Sequence, residues 1–203
     1  MNKNLFFLFL MIGVFALALF AVQSCSMIGL EEEEEDLTGD VSEVNLMGSL
    51  SDLEGTWATS CSYSSNYEAY ITSTITFSGT TLTIQRRQYN DSICADPNRL
   101  EEWVYNNMRI SSMVFLDDGL GYTLLGTIQT HTFTLESSGQ VSGFNSNSIC
   151  GINNWQLNLA TSVLGRNCWD RPKLEQGDSY FDAYKISGNS IFLRSQNNTY
   201  VKQ

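Results

Sequence analysis

Catalysis by side chains needs a nucleophile beside a base, two carboxylates at a set separation, or a metal held by several ligands. This chain offers a single imidazole, His131, inside the alternating run His131-Thr132-Phe133-Thr134-Leu135, where it reads as a strand residue rather than a ligand or a base. Serine is abundant, but no Gly-x-Ser-x-Gly occurs, and no Gly-rich phosphate loop is present. The carboxylates that could work as an acid and base pair are Glu101, Glu102, Asp117, Asp118, Asp178 and Asp182. Asp117-Asp118-Gly119 reads as a turn and Glu101-Glu102 as a solvated strand start. The five cysteines lack CxxC spacing, so neither a metal nor any other cofactor is expected. These residues do not assemble an enzyme.

One cysteine stands apart from the other four. Lys3 gives a short positive start, Leu5 to Val22 carry no charge, and Ala21-Val22-Gln23-Ser24-Cys25 closes the run. A run of that length could cross a bilayer or serve as an ordinary secretory signal. With a cysteine after a small residue at its exit, it resembles the signal peptide of a bacterial lipoprotein, with Val22 and Ser24 in the lipobox and Cys25 as the lipid acceptor. The resemblance implies that residues 1–24 are removed and that Cys25 carries acyl chains such as palmitate. Two or more chains would hold the protein stably in a membrane. Ser26, where inner-membrane lipoproteins often carry Asp, implies the outer membrane of the cell envelope.

The formal net charge of −11 is unevenly spread. Ten acidic residues and no basic one lie between Ser26 and Glu54, whereas from Gly55 onward twelve acidic residues face ten basic ones. Like charges packed so densely repel and extend a chain. Residues 25–50 therefore read as an acidic flexible tether, and residues 51–203 as one nearly neutral domain. No basic cluster exceeds Arg86-Arg87, which excludes a nucleic-acid partner.

Within that domain the hydrophobic period is two. Ala69 to Phe77 alternates an apolar face with Tyr and Thr, and Leu82-Thr83-Ile84 resumes the pattern after a turn. Phe77-Ser78-Gly79-Thr80-Thr81-Leu82 and Ile186-Ser187-Gly188-Asn189-Ser190-Ile191 are near copies, and Leu135 to Val141 is a looser third; each reads as a hairpin. Asp117-Asp118-Gly119 supplies another turn. About eight to ten short antiparallel strands follow, enough to close on themselves and remove their edges. Met108 to Leu116 and Leu157 to Leu164 are the stretches that could also be helical. The expected fold is an all-β barrel or barrel-like sandwich.

Four cysteines remain in this domain: Cys61, Cys94, Cys150 and Cys168. An even count in an exported domain suits two disulfides. Of three connectivities, Cys61–Cys94 with Cys150–Cys168 is favoured, because each pair closes a moderate loop between nearby strands.

Leu53-Glu54-Gly55-Thr56-Trp57 opens the first strand with Gly-x-Trp, and the chain ends in the Tyr184–Leu193 hairpin and a short strand near Tyr200. In these features, and in the spread of its cysteines, the domain resembles lipocalin-like (calycin) barrels. In those, the Trp plugs the closed end and a basic residue lies near the last strand, a part Arg194 could play. The resemblance implies a barrel that takes a small apolar ligand, with Trp57, Phe77, Trp103, Tyr105, Tyr122 and Phe133 as candidate lining. Trp155 is another large residue that could serve, and ordinary core packing is the competing role for all of them. Arg86 and Arg109 could meet an acidic head group if they pointed inward, although charged strand residues default outward. The alternative is a filled, non-catalytic barrel that touches a protein or glycan through its loops.

Overall fold

The computed structural model describes residues 48–117, 119–168 and 173–203. Cys25, the lipobox and nearly all of the acidic tether lie outside these residues, as does Asp118. A short helix α1 (Leu50–Leu53) precedes ten strands: β1 (Gly55–Ala58), β2 (Ser62–Ser64), β3 (Ala69–Ser78), β4 (Thr81–Tyr89), β5 (Pro97–Leu116), β6 (Gly119–Leu135), β7 (Ala160–Ser162), β8 (Ser179–Ser187), β9 (Ser190–Leu193) and β10 (Asn198–Lys202). A second helix, α2 (Ser138–Ser146), and a 3₁₀ turn (Ile149–Gly151) lie between β6 and β7. Ser49 caps α1 in a capping box with Asp52, so the folded part takes in two residues assigned above to the tether.

All strand pairings are antiparallel, and the sheet closes because β1 pairs with β3 on one edge and β10 on the other. β2 continues β1 along the same edge of β3, and β7 and β8 share one edge of β6. The ten strands thus fill eight positions in the wall, each beside its neighbour in sequence. The expected barrel is what the chain forms, as an up-and-down meander.

The two near-copies in sequence have the same geometry. Gly79 and Gly188 sit at φ +57° and +56° in the β3–β4 and β8–β9 turns, a left-handed conformation that glycine reaches without a Cβ penalty. The looser third copy is not a hairpin. Ser137 instead caps α2, its hydroxyl accepting from the Gln140 amide, because a Ser with no apolar alternation after it favours a helix start. Of the two ambiguous stretches, Met108–Leu116 is the second half of β5, and residues 157–164 hold only the three-residue β7.

A meander places its turns at alternate ends. The β3–β4, β5–β6 and β8–β9 turns gather with α1 at one end, where the Gly79 amide donates to Glu54 Oε1 and the Lys202 amide to the Asn189 carbonyl. This end is closed. Leu53 and Trp57 are buried there, Trp57 Nε1 donates to the Leu53 carbonyl at 2.9 Å, and Lys202 Nζ lies 5.0 Å from the Trp57 ring. Lys202, and not Arg194, lies over the Trp57 ring: Arg194 is exposed in the β9–β10 turn, one residue past the last inward position of β9. Above this plug the interior is packed with Ile75, Phe77, Leu82, Ile84, Met108, Leu124, Ile191 and Leu193.

The opposite end carries the longer connections and both disulfides. Cys61–Cys94 ties the loop after β1 to the loop after β4, and Cys150–Cys168 staples the β6–β8 connection, whose Phe144, Ile152 and Trp155 pack on Phe133 and Leu135 of β6. The favoured connectivity is the observed one. By loop-closure entropy the bridges, which span 33 and 18 residues, contribute about 3 to 4 kcal/mol each. Urea unfolding should show that loss for Cys61→Ser with Cys94→Ser. Trp57→Ala, which empties the plug, should lose roughly 3 to 5 kcal/mol, and Trp57→Phe, which keeps a smaller ring but loses the hydrogen bond to Leu53, should lose less, roughly 2 kcal/mol.

Candidate functional site

Inward positions alternate along each strand, and following them upward from the apolar floor leads to charge. On β4 the series Leu82, Ile84 continues to Arg86 and Gln88; on β5 Tyr105 and Trp103 lead to Glu101 and Arg99; on β6 the inward positions reach His131, and on β8 Tyr184 leads to Asp182 and Tyr180. The upper half of the barrel is therefore lined with polar groups. Glu101 and Asp182 are only 1 % and 2 % exposed, and Arg99, Gln88, Ser73 and His131 are also buried.

Each buried carboxylate has its own partners, as burial of a charge requires. Glu101 Oε1 lies 3.1 Å from His131 Nε2, and the imidazole stacks on Trp103 with ring centroids 5.1 Å apart. Asp182 accepts from Tyr180 Oη at 2.9 Å, from the Ala183 and Ser195 amides at 2.7 and 2.8 Å, and from Ser195 Oγ. Those bonds fasten the β9–β10 turn to β8. Arg99 lies over the rings of Phe133 and Phe144, at 5.2 and 5.7 Å.

Arg86 is held differently. Its guanidinium carbon is 4.8 Å from the Tyr67 ring and 5.3 Å from the Trp103 ring, and its two terminal nitrogens donate to Tyr67 Oη and Gln196 Oε1. It lines a cavity of about 370 Å³ at the open end, between the loop Ser62–Tyr67 and the turn Ser195–Asn198, with Ile71 as its apolar contribution.

Three sequence expectations change here. Glu101 is not a solvated strand start, because it occupies an inward position beside His131; only Glu102, which accepts from Gln85 Nε2, faces outward. Arg86 does not follow the outward default, since two rings receive its charge, whereas Arg109 is exposed. His131 is a strand residue as expected, and its partner is Glu101. Of the six candidate lining residues, the structure brings only Trp103 and Tyr105 to the level of the polar groups. Trp57 and Phe77 belong to the packed floor, Tyr122 leans on Tyr184 near the closed end, and Phe133 joins Trp155 in the second core.

No hydrogen bond among the described residues joins His131 to a serine hydroxyl, and Ser195 bonds to Asp182 and Gln196 rather than to a base. The arrangement can bind and orient a molecule through its hydrogen-bonding groups. Neither a protein-family model nor a curated protein matches this chain.

Burial also acts on the interior phenols. Desolvation raises Tyr105, Tyr180, Tyr184 and Tyr200 above the ordinary value of 10.0, Tyr200 to about 12, with Asp182 adding to the rise at Tyr105, Tyr180 and Tyr200. The unfolded chain ionises these groups near pH 10 while the folded chain keeps them neutral. Their contribution to stability is therefore complete below pH 10 and is lost as pH rises from about 10 through their raised folded-state values, first at Tyr200. A spectrophotometric titration should show Tyr105, Tyr180, Tyr184 and Tyr200 ionising only well above pH 10 or on unfolding.

Proposed function

We propose that this protein is a lipid-anchored, exported binding barrel that takes a small molecule through its open end and does no chemistry on it. The observation that carries the reading is the asymmetry of the interior: one end is plugged by α1 and Trp57, and the other opens on a polar cavity of about 370 Å³. That volume lies at the small end of the range for ligand sites. The lipocalin-like reading is supported by the meander, by Trp57 at the plugged end and by Lys202 across it. The anchor reading rests on the lipobox at Cys25, and the cell envelope, with the outer membrane favoured, follows from it. An apolar ligand was the expectation; since the apolar half of the barrel is packed, the apolar part of any ligand must be small and must sit near Ile71.

A specific observation favours a second reading, the loop-mediated interaction module. The β5–β6 hairpin exposes Phe115 at 84 %, with Met113 and Leu120 beside it, and an exposed apolar group of this kind suits a protein partner.

Native mass spectrometry on the full chain, purified in mild detergent from its own host, decides between them. A constant extra mass beyond the acyl groups, removed by organic solvent, is the expected result. A bare mass with a co-purifying protein would favour the hairpin reading. Separately, Cys25→Ala should leave an unprocessed precursor and abolish labelling by a fatty-acid analogue; unchanged labelling would remove the anchor.

A further inference from the structure

The two buried carboxylates are engaged by other groups, and Arg86 makes no ion pair among the described residues. Its terminal nitrogens reach only neutral oxygens, one from each of the two segments that frame the cavity, and its Nε is buried without a hydrogen-bond partner. Glu101 stands opposite Arg86 on β5 but is bonded to His131, so a half-buried guanidinium whose own hydrogen bonds go to neutral oxygens keeps donors for a ligand. The geometry of that charge is selective. With Tyr67 and Trp103 near its faces, the planar fork has its edge to offer, and a guanidinium edge matches the two coplanar oxygens of a carboxylate. The rest of the cavity wall is mostly hydroxyl and amide: Ser62, Ser64, Ser195, Asn197 and Asn198, with Ile71 and the exposed ring of Tyr63 as apolar exceptions. Such a wall exchanges hydrogen bonds with hydroxyl groups and leaves little room for an alkyl chain.

We propose that the cavity binds a small hydroxylated carboxylic acid, of the size and chemistry of a hexuronic acid, whose carboxylate displaces Gln196 or Tyr67 from Arg86. This deepens the binding reading above and rests on it. Gln196 is a placeholder in this account, and the loop that carries Tyr67 shifts when the acid enters.

The test is equilibrium dialysis of the full chain in detergent against sodium glucuronate, with glucose and inorganic phosphate in parallel at one ionic strength. Glucuronate should bind at least about tenfold more tightly than either control, because only it offers both a planar carboxylate and ring hydroxyls. Arg86→Gln should lower glucuronate affinity about tenfold or more and erase the preference over glucose. Arg86→Lys should recover only part of it, since an ammonium keeps the charge without the fork. Near-ultraviolet circular dichroism verifies that each variant is folded. Should Arg86→Gln not fold, Ser65→Trp on the exposed loop fills the mouth from outside and should abolish binding with the interior untouched. Three results overturn the proposal: equal glucuronate affinity in wild type and a folded Arg86→Gln (or in Ser65→Trp), phosphate binding as tight as glucuronate, or no glucuronate bound at concentrations on the order of 10 mM. If native mass spectrometry still finds a carried molecule, the binding barrel stands and only its ligand class is wrong; if it finds none, both fall.

Discussion

Everything in this domain depends on the closure made by four residues. Gly55–Ala58 pair with Thr74–Phe77 on one side, and Trp57 and Ala58 with Val201 and Lys202 on the other. Without that double pairing the meander would be an open sheet with two exposed edges and no interior. With it, every strand acquires an inside, and residue parity acquires a meaning. Trp57 stands at the point of closure, so the side chain that plugs the barrel belongs to the strand that shuts it. Its indole bond to Leu53 brings α1 across the end, and Lys202 closes over the ring from the last strand. The first and last strands of the barrel are thus locked together at a single buried residue.

Closure creates a second constraint, which is the cost of a charged interior. Removing a charge from water costs several kcal/mol unless partners replace the lost hydration. The barrel meets this by giving Asp182 and Glu101 dedicated partners and by covering the cations with rings. An all-apolar interior of the same shape would be easier to stabilise. The lower half has that composition, so the polar upper half is a departure that packing alone does not require. It coincides with the cavity at the open end, whose wall takes in the loop after β2 and the β9–β10 turn, and that coincidence ties the charge to binding.

The architecture was legible in the sequence because its signals are local and cheap to read. Period-two alternation gave the strands, two near-identical Ser-Gly segments gave two hairpins, and loop length ordered the disulfides. The site was hidden by a sound rule applied residue by residue. Arg86 and Glu101 were placed outward because charged side chains usually are. Yet Leu82-x-Ile84-x-Arg86-x-Gln88 keeps strict parity, and so does Glu101-x-Trp103-x-Tyr105. Extending the alternation past the last apolar residue would have put both charges inside. Pairing was beyond reach in principle: Arg86 and Gln196 are 110 residues apart, and only closure brings them together. Ser137 was misread for a simpler reason, since Ser-Gly serves a hairpin or a helix cap equally well until the following periodicity is weighed.

The placement of the staples bears on how the open end works. Disulfides act most where backbone pairing is absent, and the closed end is held by strand pairing and the Trp57–Leu53 hydrogen bond instead. Both bridges lie at the open end, and Asp182 accepts two hydrogen bonds from Ser195 that fix it and, through it, the turn bearing Gln196. The loop bearing Tyr67 follows β2, which is paired with β3, and past that strand the Tyr67 amide donates to the Ser64 carbonyl and the Tyr67 hydroxyl accepts from Arg86. One jaw of the cavity is therefore fixed by a buried carboxylate, and the other is held by a bond to the very group that a ligand would engage. A site built this way is preorganised on the Gln196 side, so most of the entropy cost of binding falls on the single loop that must move.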